Sequence, residues 1–301
     1  MRKKIMLIGS DSFIARYFAA EKGAGYEIRG ASLAPSRLGN ELVMDDLFKL
    51  SAADFEGVSS AVNFAAIVHR PEISDPDIYD RVNCQLPLHL ARVAADGGVD
   101  HFIQMSTIAV YGGADRISPS TPAVPESPYG SSKLKADLEL LKMRRDDFRI
   151  ALLRPSMVYG GGASPGNMMR LIGLCDRPVP LPFRGVDNWR QFAYAGLVAD
   201  ALDRIIEKRV DGIFLLADRR PVSTEELVGI IRSKLGKSQM QFRLPALARR
   251  FIQRARPSLY RRLFGSLLID SDRTYRQLGL KERKGDLEKG IAEMVECYRL
   301  L

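Results

Sequence analysis

The sequence predicts an α/β protein built on a doubly wound parallel sheet, with a smaller, partly C-terminal lobe. Three observations carry this. Short apolar runs alternate with helical patterns through the first half of the chain, as strands covered on both faces by crossover helices require. The first run, Ile5-Met-Leu-Ile8, breaks at Gly9-Ser-Asp-Ser12 and passes straight into a helical pattern. After Pro155 the texture changes to turn-rich chain, with Gly160-Gly-Gly162, Pro165-Gly166 and Arg177-Pro-Val-Pro-Leu-Pro182.

Taken in order, the first strand is expected over 5–8 and the first helix over Phe13–Lys22, closed by Gly23. Strands two to five are expected over 26–31, 58–64, 102–106 and 150–153. Between them, 86–95 is a helix stopped by Gly97-Gly98, and 131–144 is another. Pro87 either opens its helix or kinks a longer one. Beyond the turn-rich stretch, 191–206 and 212–217 read as a helix and strand that return to the sheet. Residues 223–235 form a helix with Ser223 as cap and Glu226 three residues on. The division is then 1–155 plus 191–217 for the sheet domain, and 156–190 plus 218–301 for the second lobe. No internal repeat or low-complexity linker separates them.

Composition narrows the class. The 301 residues, 46% of them apolar, suit one large domain or two lobes sharing a cleft. No apolar run reaches the ~18 residues that span a bilayer. The N-terminal basic residues precede only four apolar ones, too few for a secretory segment. Three scattered cysteines lack metal-type spacing, so a reduced, cytoplasmic protein is expected. The net charge of +9 suits phosphorylated ligands or polyanions. Without zinc-finger spacing or an RNA-recognition signature, nucleic acid is not an expected partner.

The chemistry concentrates at Tyr129-Gly-Ser-Ser-Lys133. On a helix these two side chains share a face, and a neighbouring ammonium favours phenolate over phenol. Thr107 supplies a hydroxyl that could share the proton. Gly9-x-x-Ser12-x-x-Ala15 lies where a pyrophosphate meets a helix N-terminus. His89 and His101 read as structural, and His69 as either a cleft border or a solvated loop residue. No Ser-His-Asp set or metal cluster stands out.

Eight pieces in order carry a resemblance: Gly9-Ser-Asp-Ser-Phe-Ile-Ala15, Asp46-Leu47, Val62-Asn-Phe-Ala-Ala66, Asn83, Ser106-Thr-Ile-Ala-Val-Tyr-Gly112, Tyr129-x-x-x-Lys133, Leu153-Arg-Pro-Ser-Met-Val-Tyr-Gly160 and Arg190-Gln-Phe-Ala-Tyr194. Over nearly its whole length the chain resembles the extended short-chain dehydrogenase/reductases, the nucleotide-sugar epimerase/dehydratase family. The resemblance implies a Rossmann-like domain for NAD or NADP and a lobe for a nucleotide-diphosphate sugar. It makes Tyr129 the catalytic acid/base, Lys133 the partner of the nicotinamide ribose that lowers the tyrosine pKa, and Thr107 the group beside the reacting oxygen. Gly9, Ser12, Phe13 and Ile14 would form the pyrophosphate turn. Asp46, with Leu47, would meet the adenine, and Ala65 and Ala66 would line the cofactor. Arg190 would grip the diphosphate, a task suited to a guanidinium. Asn83, supporting the active site, and Asn167 would complete the substrate side, and a homodimer is compatible with the resemblance.

Three departures shape the functional expectation. Ser12 and Ala15 stand where the family usually has glycine. The end of the second strand, Arg29-Gly-Ala-Ser32, lacks the carboxylate that binds an NAD ribose, so Arg29 or Arg37 could meet the 2′-phosphate of NADP. Ile108-Ala109 replace the Asp-Glu of the sugar dehydratases, which disfavours dehydration. The expected function is therefore a 4-keto-sugar reductase using NADP rather than NAD, in bacterial surface polysaccharide synthesis. A UDP-sugar 4-epimerase is the alternative, and a non-catalytic dinucleotide-sensing or scaffold protein the second alternative. Residues 243–262 hold seven arginines and no acidic residue, with Leu244, Leu247, Ala248, Phe251, Ile252 and Ala255 at helical spacing. The first expectation is a helix packed on the substrate lobe. The other is a membrane-surface helix that would place the enzyme at the inner face of the membrane, within reach of a lipid-linked sugar.

Overall fold

Alternation along the first strand divides the core in two. In β1 (Lys3–Ile8), Ile5 and Leu7 join one apolar cluster, and Met6 and Ile8 join the other. A strand whose side chains alternate between faces must be apolar throughout when both faces are covered. The computed structural model describes residues 2–68, 75–162, 166–282 and 285–300. His69 lies outside the described residues.

The strands that follow are β2 (Tyr26–Ser32), β3 (Glu41–Val43), β4 (Ser60–Asn63), β5 (His101–Met105), β6 (Arg116–Ile117), β7 (Arg149–Pro155), β8 (Val158–Tyr159), β9 (Ala193–Tyr194), β10 (Gly212–Leu216) and β11 (Leu268–Ile269). Seven of them form one sheet in the order β10-β7-β5-β4-β1-β2-β3. Every pairing in it is parallel. The order reverses at β1, so the crevice for a ligand opens above β1 and β4 at their carboxyl ends.

Helix α1 (Phe13–Lys22) covers one face with Ala15 and Phe18. On the other face, α2 (Pro76–Asp80) runs through a π-helical turn, Arg81–Gln85, into α3 (Leu86–Asp96). Pro87 thus sits inside a longer helical run, and the wider turn before it absorbs the amide that proline lacks. Helix α4 (Pro128–Lys142) begins three residues before the expected start, because Ser127 caps it and Pro128 takes the first position. The expected helix over 191–206 is also revised: 193–194 are extended as β9, and α6 (Ala195–Lys208) starts only after them.

Beyond β7 the chain leaves the sheet and returns to it with β10, which pairs with β7. Helices α5 (Asn167–Asp176), α7 (Thr224–Leu235), α8 (Ala246–Ala255), α9 (Pro257–Phe264), α10 (Asp272–Leu278) and α11 (Asp286–Arg299) complete the chain. Two short parallel pairs, β8 with β9 and β6 with β11, stitch this part to the sheet domain. His101 is buried with Nε2 3.0 Å from the Val210 carbonyl, and burial pushes its pKa down to about 4. His89 meets the Leu50 carbonyl at 3.2 Å.

Candidate active site

The turn after β1 is built on close backbone approach. Gly9 has φ +73, and a Cβ on it would stand 2.6 Å from the Ala65 amide nitrogen. Only glycine lets the turn rest against the loop after β4 in this left-handed conformation. Ser12 is the N-cap of α1, its Oγ accepting from the Ala15 amide at 3.3 Å. The hydroxyl keeps its own proton to donate, so serine in place of glycine both caps the helix and retains a donor. Ser10 Oγ is buried with no hydrogen-bond partner among the described residues. Phe13 and Ile14 are half-buried in the first turn, and Ala66 is half-buried beyond Ala65. A left-handed glycine, an unpartnered buried hydroxyl and a helix start fit the pyrophosphate of a dinucleotide.

The candidate catalytic side chains lie beyond the end of β5, two strands from β1. Ser127 Oγ accepts from the Gly130 amide at 3.1 Å, which sets Tyr129 in the first turn of α4. A Cβ on Gly130 would stand 2.6 Å from the Ala109 carbonyl, so this glycine lets α4 close on the 3₁₀ turn Ile108–Tyr111. Thr107 caps that turn, its Oγ1 accepting from the Ala109 amide at 3.1 Å, and its hydroxyl is near enough to the Tyr129 phenol to favour the ionised form. Lys133, buried one turn on, donates from Nζ to the Met105 carbonyl at 2.9 Å.

The electrostatics revise one expectation. Burial pushes Tyr129 up to about 12, with the Thr107 hydroxyl opposing it. Burial pushes Lys133 down to about 8, with Asp137 opposing it. The tyrosine is therefore not lowered by its lysine in this structure: the ammonium is committed to Met105, and desolvation dominates. The phenol keeps its proton at neutral pH.

A buried polar network behind these residues escaped the sequence reading. Asp137, one turn after Lys133, accepts from Ser106 Oγ at 2.7 Å and from Arg154 Nε at 2.9 Å. Arg154 Nη1 donates to Tyr111 Oη at 2.7 Å. Asn63 Nδ2 donates to Gln104 Oε1 at 2.8 Å, and Gln104 Nε2 donates to the Met105 carbonyl that also holds Lys133. The available signal was a polar residue closing each apolar strand: Val62-Asn63, Ile103-Gln104 and Leu153-Arg154.

The remaining candidates are distributed around this centre. Asn83, in the π turn, accepts from the Ile67 amide at 2.9 Å and donates to the Ile67 carbonyl and to Ser132 Oγ. Its amide thus ties the loop after β4 to α4. Asp46 caps the 3₁₀ turn Leu47–Lys49 and lies 3.5 Å from Arg81, with Leu47 buried beneath. Arg190 donates from Nη1 to the carbonyls of Gly265 and Arg261, at 2.9 and 3.2 Å. Asn167 is exposed at the start of α5.

The end of β2 differs from the expectation in one respect. Arg29 is spent on the Asp54 carbonyl at 2.8 Å, while Arg37 is exposed with φ +68. Glu41 on β3 brings a carboxylate there, its Oε1 3.0 Å from Ser32 Oγ and accepting from the Ser36 amide at 2.7 Å. Slight burial pushes Glu41 up, but the Ser36 and Ser32 hydrogen bonds outweigh it and hold the carboxyl below its ordinary range.

The buried lysine makes a testable trade between stability and function. Its fall from 10.5 to about 8 corresponds to roughly 3 kcal/mol of folded-state cost. That cost is complete below pH 8 and fades as pH rises toward 10.5, where the unfolded chain also releases the proton. Lys133→Met loses the donor to Met105, about 1 kcal/mol, so a net gain of roughly 1–2 kcal/mol at pH 7 is expected, together with loss of turnover. Urea unfolding should show the gain shrinking by pH 10. A variant less stable than wild type at pH 7 would refute this reading of Lys133.

Comparison with known proteins agrees with this geometry. The model of the NAD dependent epimerase/dehydratase family matches residues 5–217. UDP-glucose 4-epimerase of Vibrio cholerae is 26% identical over 99% of this chain and 96% of its own length. An Escherichia coli O157:H7 protein, N-acetyl-α-D-glucosaminyl-diphospho-ditrans,octacis-undecaprenol 4-epimerase, is 23% identical over 81% of this chain and 76% of its own. The solved structure of MoeE5 in complex with UDP-glucose and NAD is 26% identical, covers 99% of each chain and has a TM-score of 0.78. The chain belongs to the NAD-dependent epimerase/dehydratase family, the nucleotide-sugar branch of the extended short-chain dehydrogenase/reductases, and is an enzyme of that type.

Proposed function

We propose that the protein is an NAD-dependent 4-epimerase of a UDP-hexose. The observation that carries this is the Thr107–Tyr129 pair followed by Ile108 and Ala109. Those two side chains cannot move a proton, so the site is equipped for exchange at the C4 oxygen and hydrogen but not for elimination of water. Similarity along almost the whole chain to a UDP-glucose 4-epimerase supports the same reading.

Bound at the Gly9 turn and Lys133, the nicotinamide dinucleotide supplies a hydride acceptor and donor for the sugar ring carbon. The protein manages the proton. As phenolate, the form that the positive charge of a bound NAD⁺ would favour over the protonated phenol of the free site, Tyr129 would take the proton from the C4 hydroxyl and return it to the same oxygen once the opposite face of the ring is presented. Thr107 holds that oxygen and the phenol in register. Arg190, at the edge of the second lobe, would meet the diphosphate through guanidinium nitrogens other than Nη1, which is held by the Arg261 and Gly265 carbonyls.

Net reduction, the first expectation, rested on a missing carboxylate at the end of β2. Glu41 supplies a negative charge there from the neighbouring strand, which opposes a 2′-phosphate, and Arg29 is committed elsewhere. NAD is therefore the proposed cofactor. Titration should show NADH binding tenfold or more tighter than NADPH, about the value of one charged contact. The reverse preference would restore the reductase. The functional test is incubation with UDP-glucose and a trace of NAD⁺. Appearance of UDP-galactose without net change in the cofactor supports the epimerase. No isomerisation, with stoichiometric consumption of NADPH on a UDP-4-keto-sugar, supports the reductase. Similarity to a 4-epimerase of an undecaprenol-linked sugar makes a lipid-borne diphosphate sugar the second substrate class to assay.

A further inference from the structure

The arginine-rich stretch does not pack as first expected. It breaks at Pro257 into α8 and α9, and no residue of α8 is buried. Leu247 is 80% exposed and Phe251 72%. At helical spacing, Leu247, Arg250, Phe251 and Arg254 fall on one face. The opposite side carries Arg249, which turns inward: its Nε donates to Tyr260 Oη at 2.9 Å, and its guanidinium lies over the Tyr260 and Phe264 rings. The helix thus keeps Ala248, Arg249 and Ile252 half-buried and leaves Leu247 and Phe251 in water. Phe242 and Leu259, 44% and 45% exposed, flank this face in the sequence.

We propose that the outward face of α8, with the adjoining arginines of α9, docks on an anionic phospholipid bilayer. Charge and apolar depth together select this occupant. Arg243, Arg250, Arg254, Arg256 and Arg262 are exposed, and no acidic residue interrupts the segment. Among the described residues, Arg261 is the only one of its seven arginines in an ion pair, with Glu126. Leu247 and Phe251 protrude between arginines, so they can enter the acyl boundary while the guanidinium groups stay with lipid phosphates. Nucleic acid offers phosphates but no apolar layer for the leucine. A second copy placed face to face would set one arginine cluster against another. Among the described residues no helix is long and apolar enough to cross a membrane, so the contact is interfacial.

The docked face is coupled to the active site. Arg261 donates from both terminal nitrogens to Glu126, at 3.1 and 2.8 Å, three residues before Tyr129. Arg190 donates to the carbonyls that end α9. Docking would therefore hold the substrate end of the site near the headgroups, whichever sugar diphosphate it accepts.

The test is sedimentation of the full-length protein with vesicles of phosphatidylglycerol and phosphatidylcholine, or of phosphatidylcholine alone, at low and high salt. Pelleting with the anionic vesicles, weakened by salt, is expected. Arg250→Gln, Arg254→Gln, Arg256→Gln and Arg262→Gln should each weaken it about fivefold. Leu247→Ser with Phe251→Ser should weaken it at least ~tenfold while keeping the wild-type unfolding midpoint. The proposal is overturned by no pelleting at low salt, by equal binding to neutral vesicles, or by unchanged binding of the serine variant. Self-association that the serine variant abolishes would likewise overturn it, assigning the face to a protein contact.

Discussion

Tyr129→Phe is expected to lower turnover by roughly 10²–10⁴-fold while leaving cofactor affinity nearly unchanged. The substitution removes one oxygen and its proton and keeps the ring that fills the start of α4. It leaves Thr107 capping the Ile108–Tyr111 turn and Lys133 bound to Met105, since neither contact uses the phenol. The loss should therefore fall on kcat rather than on assembly of the site. Steady-state kinetics with UDP-glucose, and a separate titration of cofactor, distinguish the two. Activity within a few-fold of wild type would place the proton elsewhere.

Arg154→Met is expected to cost about 3–5 kcal/mol of stability, because it strands a buried carboxylate. Asp137 is fully buried, and Arg154 provides both its ion pair and one of its two protein hydrogen bonds. Its other oxygen has no hydrogen-bond partner among the described residues. Burial already pushes Asp137 up against the pull of Arg154. Without the guanidinium the carboxyl rises further, so the folded variant takes up a proton that the unfolded chain does not hold at neutral pH. The deficit should then shrink as pH falls and Asp137 protonates in both states. Urea unfolding of both proteins at neutral and acid pH measures this. A deficit below 1 kcal/mol, or one that grows toward low pH, would show that the pair does not act as described. Asp137→Leu with Arg154→Met should recover much of the loss, since a matched apolar pair leaves no stranded charge.

Much of the sheet was legible because a fully covered strand must be apolar at every position, and 5–8, 102–105 and 150–153 are nearly so. Tyr129, Lys133 and Thr107 were legible by type and spacing. The start of α4 carried a readable signal in Ser127-Pro128, a cap followed by a first-turn proline. β3 did not: three residues, Glu-Leu-Val, are too few for any period, yet they deliver Glu41 to the end of β2. The Asp137–Arg154 pair was illegible for another reason. The two are brought together by the packing of α4 on β7, and a lone aspartate in a helix reads as a surface charge. The face of α8 shows the limit of periodicity itself. Leu247 and Phe251 recur as regularly as Ala248 and Ile252, and only tertiary packing decides which pair meets the protein.

The central claim is that one tyrosine-centred site removes hydrogen from C4 of a UDP-hexose and returns it to the same carbon. UDP-glucose carrying deuterium at C4, incubated with the protein and a trace of NAD⁺ in ordinary water, tests it most directly. The account predicts UDP-galactose with the deuterium retained at C4 and no net cofactor turnover. Loss of the label to solvent, or product formed only as NADPH is consumed mole for mole, would contradict it.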